Sequence, residues 1–416
     1  MKDKRISEKI LFGAFSILLE WEKSYANLDE CIDQMRSDGM EGKSAVASLL
    51  FEYFRHKDFI DGLISARARK GEVKAELRIL LACALTQCIF QTGIASESAA
   101  NIAVDCAKRK FGHGPASFVN AVMRSVLKSS EASDPPASSF PENLRLHWNE
   151  VFGPEQTAEL IGAYASNPPP VFRLRGDLPE TVDREIFHAL PPLDFTGPFR
   201  FYEILQPEKF FRLGWLEKGL VYVQDPATVL AFSLLDSPPG GAVLDACAAP
   251  GGKSIVLKDW ADIAGVPLKL TAADRSAQRL QTLKINLSRA GVKAFTVQAS
   301  AQENPFPSGA FNLILADVPC GNSGVMRRRC DAPWRYSERK LLDAAALQRD
   351  ILNSLARLAA PGGYLLYSTC SVEPEEDENQ VTHFLKNHPD FKLVRQRKLF
   401  PGKFHDGAFA ALLRRI

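Results

Sequence analysis

Residues 241–254 read GAVLDACAAPGGKS. A short apolar run ends in Asp245, small side chains follow, and Gly251 and Gly252 allow a tight turn into a helix. Small residues at such a turn also let a ligand approach the backbone and the helix N-terminus closely. The same texture recurs downstream. LKLTAAD (268–274), KAFTVQA (293–299), FNLILAD (311–317) and GYLLYST (363–369) read as short apolar strands. Between them lie helical patterns, SAQRLQTLKINLSRAG (276–291) and ERKLLDAAALQRDILNSLARLAAPGG (338–363), the second closed by Pro361 and its glycines. Strand and helix in alternation predict an α/β fold, a doubly wound, mostly parallel Rossmann-like sheet whose ligands sit at the carboxyl ends of the strands.

This domain is expected over 221–416. Upstream, residues 1–130 carry apolar positions at helical spacing, such as Val46, Leu49, Leu50, Tyr53 and Phe54, and predict an all-helical domain. Residues 131–141 have the Ser/Pro/Ala composition of a linker. A small α+β segment is expected over 142–220, where the prolines of NPPPVFRLRGD (167–177) bar a helix.

The strand tips hold the residues of interest. Asp274 follows the glycines by about twenty residues, where a doubly wound fold places an acid on ribose hydroxyls. It would serve equally as an N-cap for the next helix. Gly252-Lys253-Ser254 completes a phosphate-binding GxxxxGK[ST] pattern except that Cys247 replaces its first glycine. A P-loop ATPase is therefore one alternative, and magnesium-dependent ATP binding would identify it.

The fourth strand ends in ADVPCGNSGVMRRR, with Asp317, Pro319 and Cys320, and the fifth in YSTCS, with Cys370. Two thiols at neighbouring strand tips are not what core packing predicts. They suit covalent catalysis on a pyrimidine, in which a thiolate adds to carbon 6 of cytosine and makes carbon 5 nucleophilic toward a methyl donor. Asp317 would support the adduct by donating to ring nitrogen 3. Chemistry alone leaves open which thiol attacks. Beyond Cys370, Pro374 fits a first helical position, and Glu375, Glu376 and Asp377 are expected to complement the dipole of the helix NQVTHFLKNH.

Composition bounds the rest. The 416 residues carry a formal net charge of +2, so nucleic-acid contacts must rest on local patches: Arg67 to Lys70, Lys108 to Lys110, and Met326 to Cys330. The eight cysteines form no CxxC pair and no interleaved Cys/His spacing, which argues against a metal site and for reduced thiols in a cytoplasmic protein. Cys83 and Cys88 lie in an apolar helical pattern and are expected in the core. The first residues, MKDKRISEKILFGAFSILLEWEKS, could pass for a signal peptide, but Asp3 and Glu8 interrupt the basic region and no small-residue cleavage site follows. No apolar stretch reaches the roughly eighteen residues of a membrane span. A monomer with no membrane association is expected.

In order and spacing, DACAAPGGK, DVPC and YSTCS resemble the S-adenosylmethionine-dependent RNA cytosine-5 methyltransferases of the Nol1/Nop2/Sun type. ASESAANIAVDCAKRKFGHGPASFVNAVMRSVL resembles the NusB-like RNA-binding domain carried by one bacterial branch, whose substrate is small-subunit (16S) ribosomal RNA. The resemblance implies Cys370 as nucleophile, Cys320 as the thiol that assists product release, and Asp317 as the acid of the fourth motif. It assigns Cys247, Ala248, Ala249, Pro250, Gly251, Gly252 and Lys253 to the loop for S-adenosyl-L-methionine, with Asp274, Ser300 and Asp317. Lys253, a cation in a first helical turn, needs a partner: the cofactor carboxylate, Asp317 or an RNA phosphate. The arginines after Cys320 would hold RNA phosphates.

Three departures stand out. Ala299-Ser300 replaces the family's usual Gly-Asp, which would weaken the grip on the adenine amino group and motivates a second alternative, a non-catalytic ribosome-assembly or antitermination factor. The loop after Pro319 reads Cys-Gly-Asn-Ser-Gly where Cys-Ser-Gly is usual, and Arg175 stands where Asn is common.

Overall fold

The computed structural model describes residues 2–24, 27–36, 42–68, 73–91, 93–129, 134–136, 138–178 and 185–416. Arg69 and Lys70 of the first basic patch, and residues 131–133 and 137 of the expected linker, lie outside them. The chain divides into two compact units, Met1–Ala165 with Arg329–Tyr336, and Ser166–Arg328 with Ser337–Ile416.

In the first unit the periodic apolar residues form α1 (Lys2–Ser24), α2 (Leu28–Arg36), α3 (Lys43–Arg55), α4 (Lys57–Ser65), α5 (Ala75–Phe90), α6 (Ser96–Phe111), α7 (His113–Lys128) and α8 (Glu142–Ala165). A helix that is apolar all round belongs at the centre, and α5 is buried continuously from Ile79 to Cys88, with Cys83 and Cys88 in the core as expected. The stretch that could pass for a signal peptide is α1, and it buries Leu11, Phe15, Leu18 and Trp21. Among the described residues no helix is long and apolar enough to cross a membrane. Helix α8, expected to open the small α+β segment, packs with this unit instead. Its Asn143 donates to the Tyr336 carbonyl at 3.4 Å, and its His147 ring lies 5.3 Å from that of Tyr336.

Residues 329–336, which follow the Cys320 loop in sequence, belong to the helical unit, and the sequence offered no sign of it. Cys330 is buried in the helical core, and the Trp334 indole, on the short α12 (Ala332–Arg335), donates to the Phe54 carbonyl at 2.8 Å. Asp331, 1% exposed, accepts from the Leu28 amide at 3.1 Å and the Trp21 indole at 3.4 Å, and pairs with Arg335 at 2.7 Å. Asp331→Ala leaves these buried donors unmatched and is expected to cost about 3 kcal/mol. Urea unfolding followed by tryptophan fluorescence measures it; a loss below about 1 kcal/mol, the level of an exposed pair, would contradict this anchoring role.

The second unit holds two sheets. A small antiparallel sheet, ordered β2-β3-β1-β4, is built from β1 (Val171–Leu174), β2 (Phe187–Ala189), β3 (Arg200–Ile204) and β4 (Val221–Val223), with α9 (Pro207–Arg212) beside it. Phe172, Phe187, Tyr202, Phe210 and Trp215 form its core. The proline-rich stretch thus leads into a strand, as expected.

The large sheet runs β10-β11-β9-β8-β5-β6-β7. Its parallel strands are those expected: β5 (Gly241–Asp245), β6 (Leu268–Asp274), β7 (Phe295–Gln298), β8 (Phe311–Asp317) and β9 (Ala359–Thr369). Helices α10 (Gly252–Ile263), α11 (Ala277–Arg289), α13 (Glu338–Ala356) and α14 (Glu378–Asn387) accompany them. Two buried apolar clusters draw on the sheet: Leu313, Leu315 and Leu366 belong to one, Ile314, Leu365 and Tyr367 to the other. Alternate residues of β8 and β9 enter different clusters, so both faces are covered.

One local expectation is corrected. Pro361 and its glycines do not close α13, which ends at Ala356; they lie inside β9, where the pairing with β8 shifts register and Gly362 takes φ +74°. The sheet also continues into an antiparallel hairpin, β10 (Phe391–Leu399) and β11 (Ala408–Arg415). The buried run AFAALL of β11 was a visible strand signal, whereas the charged, exposed β10 was not.

Candidate active site

The carboxyl ends of β5, β6, β8 and β9 carry the residues singled out in the sequence. After β5, residues 246–251 turn tightly, with a cis peptide between Ala249 and Pro250 and Gly251 at φ +109°. A Cβ on Gly251 would stand 2.9 Å from Leu283 of α11, so only glycine gives both this backbone and this packing. Side chains of α11 hold the turn's carbonyls: Arg279 donates to Ala249 O at 2.5 Å and Asn286 to Pro250 O at 2.8 Å. The Asp274 carboxylate, buried at the end of β6, accepts from the Ala249 amide at 3.3 Å and the Ser276 amide at 2.9 Å. The N-cap of α11 is Ser276, not Asp274. Cys247, Asp274, Ser300, Pro319, Leu347 and Ile351 are among the residues lining one pocket here. Ser300 accepts from the Gln302 amide at 3.2 Å.

Beneath the turn, Asp245 is fully buried. Burial pushes its carboxyl up to about 7, partly offset by the Ser254 hydroxyl that donates to it at 2.7 Å. Lys253 Nζ meets Asp317 Oδ2 at 2.9 Å, so of its three possible partners the structure provides Asp317. Burial alone would depress this ammonium; the charge and hydrogen bond of Asp317, with smaller contributions from neighbouring groups, together outweigh it and raise the pKa. With Lys253 and Ser254 both turned to carboxylates, neither is presented to a phosphate as a P-loop requires.

Strands β8 and β9 lie side by side in parallel, with Asp317 opposite Ser368. Cys320 is three residues past the first and Cys370 two past the second, and their Sγ atoms stand 2.8 Å apart, both thiols free. The hydrogen bond to Cys370, burial and the neighbouring Glu376 all raise the Cys320 thiol well above its ordinary pKa. Asn322, left-handed at φ +63°, donates to Cys320 O at 3.2 Å and accepts from Cys370 Sγ at 3.3 Å. Gly324 N donates to Cys370 O at 2.9 Å, and a Cβ there would fall 2.5 Å from the Gly407 carbonyl oxygen.

Two sequence expectations change, and Arg175 finds its role. The arginines after Cys320, expected as a free basic patch, are each engaged in ion pairs within the protein. Arg327, 2% exposed, pairs with Asp406, Arg328 bridges Asp406 at 2.6 Å and Asp225 at 2.9 Å, and Arg329 pairs with Asp29. Arg175 is likewise structural: with the buried Arg173 it grips Asp259 of α10, each at 2.7 Å. Pro374, Glu375, Glu376 and Asp377 do not form the first helical turn expected of them, and Asp377, at the N-cap position of α14, makes no side-chain cap bond. Helix α14 begins only at Glu378, and Glu376 and Asp377 are fully buried. Glu376, Asp377 and Gln348 are therefore site residues the sequence reading missed, because an acidic run looks the same whether it caps a helix or packs beneath a strand.

A model of the 16S rRNA methyltransferase RsmB/F family matches residues 232–411, and one of the NusB family matches residues 13–128. Ribosomal RNA small subunit methyltransferase B of Klebsiella pneumoniae is 30% identical over 400 residues, 91% of this chain and 89% of that protein. The probable ribosomal RNA small subunit methyltransferase B of Bacillus subtilis is 27% identical over 396 residues, 90% and 87% of the two chains. Among solved structures, PH0851 superposes with TM-score 0.76 at 22% identity over 99% of this chain and 98% of that one. NSun6 from Pyrococcus horikoshii with SFG gives TM-score 0.50 at 19% identity, covering 66% and 98%. At such identities these two structures speak to the fold.

Proposed function

The chain belongs to the RsmB/F family of 16S rRNA methyltransferases, and from that premise we propose that it methylates carbon 5 of a cytosine through a covalent adduct on Cys370. The observation that carries this reading is the pair of free thiols 2.8 Å apart at adjacent strand tips, with the Lys253–Asp317 pair on the strand end of the same sheet. A single thiol would serve many purposes. Two in contact suit a reaction that must both make and break a carbon–sulfur bond.

The pocket at the ends of β5 and β6 fits S-adenosyl-L-methionine. The buried Asp274 carboxylate is an acceptor suited to ribose hydroxyls, Leu347 and Ile351 offer apolar surface to a base, and the turn from Cys247 to Gly252 brings main chain close. Ser300 supplies a hydroxyl where the family usually has a carboxylate. When bound, S-adenosyl-L-methionine supplies an electrophilic methyl group on a sulfonium.

The protein's own groups do the rest. The Cys370 sulfur adds to carbon 6, forming a C–S bond and moving the ring's electron pair toward carbon 5, while the Asp317–Lys253 pair supplies a hydrogen bond at ring nitrogen 3. The electron pair placed on carbon 5 forms the new carbon–carbon bond to the methyl group, whose bond to the sulfonium sulfur breaks with its electrons left on that sulfur. A base takes the carbon 5 proton, which passes to water, and the C–H electrons re-form the ring double bond and expel the Cys370 sulfur as a thiolate, with Cys320 assisting this step. The cytosine must leave its stack to reach both thiols.

RNA carrying tritium at carbon 5 of cytosine tests the reading. Methylation at carbon 5 releases one tritium into water per methyl group transferred, whereas methylation at a ring nitrogen or a ribose oxygen releases none.

A further inference from the structure

Beyond that reading, and resting on it, lies the question of what holds two thiols on separate loops in contact. Cys320 is gripped on both sides. Glu376 Oε1 accepts from the Gly321 amide at 2.8 Å and from Gln348 Nε2 at 2.9 Å, and the same Nε2 donates to the Pro319 carbonyl at 2.9 Å. The peptide groups before and after Cys320 thus both end on the Gln348–Glu376 pair. The Tyr367 hydroxyl donates to the Glu376 carbonyl at 2.5 Å and lies 3.2 Å from Gln348 Oε1. Gly321 lets the carboxylate in, for a Cβ there would stand 3.2 Å from Glu376 Oε2.

The next residue does the same for the other thiol. Asp377 Oδ1 accepts from the Thr369 hydroxyl at 2.7 Å, and that hydroxyl accepts from the Ser371 amide at 3.2 Å, so the residues on both sides of Cys370 are tied together. Lys398 Nζ stands 3.1 Å from Asp377 Oδ2. Gln348, Glu376 and Asp377 are all 1% exposed or less. Burying two consecutive carboxylates is costly, and it raises the pKa of both. A helix N-terminus would not require it.

We propose that Glu376 and Asp377 are positioning residues, one for each thiol: Glu376, with Gln348, sets the Cys320 loop for release, and Asp377 sets the Cys370 strand end for attack. Neither need touch the reacting atoms. Displacing a reacting group by about an ångström can cost roughly 100-fold in rate, so each clamp should govern one step and spare the other.

The test uses the full-length protein, labelled S-adenosyl-L-methionine and a cytosine-bearing RNA under single-turnover conditions, following the denaturation-resistant protein–RNA band as it forms and decays. Glu376→Ala should slow decay by about 100-fold with formation close to wild type, and Asp377→Ala should slow formation by about 100-fold with decay close to wild type. Glu376→Gln keeps the acceptor oxygen and should restore decay. Should either alanine variant fail to fold, Gln348→Met stands in for the first clamp and Thr369→Val for the second. Equal slowing of both steps in every variant would mean general loosening and overturn the assignment, as would unaltered kinetics. An adduct that decays normally in Glu376→Ala but persists in Cys320→Ala overturns the clamp alone. Absence of any adduct from Cys320→Ala overturns instead the two-thiol reading beneath it.

Discussion

Cys370→Ala is expected to abolish methyl transfer to ribosomal RNA, with a rate lower by roughly a thousandfold or more, as when a covalent nucleophile is removed. Carbon 5 of cytosine is a poor nucleophile, and without a sulfur on carbon 6 nothing drives electron density onto it. Cys370 is half-buried and its backbone carbonyl, not its sulfur, receives the Gly324 amide. The substitution should therefore leave the fold and the pocket around Asp274 intact, and calorimetric affinity for S-adenosyl-L-methionine should be close to wild type. Methyl transfer at a wild-type rate in this variant would end the assignment. Transfer that instead required Cys320 would move the nucleophile to the neighbouring strand.

Cys320→Ala should behave differently. Attack by Cys370 remains possible, but the group that assists breakage of the C–S bond is gone, and turnover should fall by about 100-fold or more. The adduct should accumulate as a slow-migrating protein–RNA band that survives denaturation, and the double variant with Cys370→Ala should lose it. The two phenotypes are opposite in kind, which no account of the cysteines as core residues can produce. In the folded protein Cys320 sits between its hydrogen bond to Cys370 and the charge of Glu376, both of which disfavour its thiolate. The resting pair thus keeps a proton on Cys320 beside the sulfur that must attack. Absence of any stable band in Cys320→Ala would show that the second thiol is not needed for release.

Much of this site was legible in the chain. The alternation of apolar runs and helical patterns announced the parallel sheet, because side-chain periodicity is a local property that survives in the sequence. The turn from Cys247 to Gly252 and the carboxylate at Asp274 followed from their places at strand ends, and Cys320 and Cys370 stood out because each ended an apolar run. Partnerships were another matter. The three arginines after Cys320 read as a basic patch, and only folding showed Arg327 and Arg328 meeting Asp406 and Asp225 from distant parts of the chain. Asp331 and Trp334 gave no sign that they belong among the helices of the first unit.

The composition of each strand tip is therefore written in the sequence. The meeting of the tips is not. It depends on β8 and β9 being neighbours with Asp317 opposite Ser368, a register set by backbone hydrogen bonds along two strands some fifty residues apart, and that register brings the thiols to 2.8 Å. The acids after Cys370 turn on the same distinction. Their charge was evident, but whether Glu376 and Asp377 face water or lie beneath Cys320 and Cys370 depends on where α14 starts and on what packs over the turn before it, and those are decided by long-range contacts that no local pattern records.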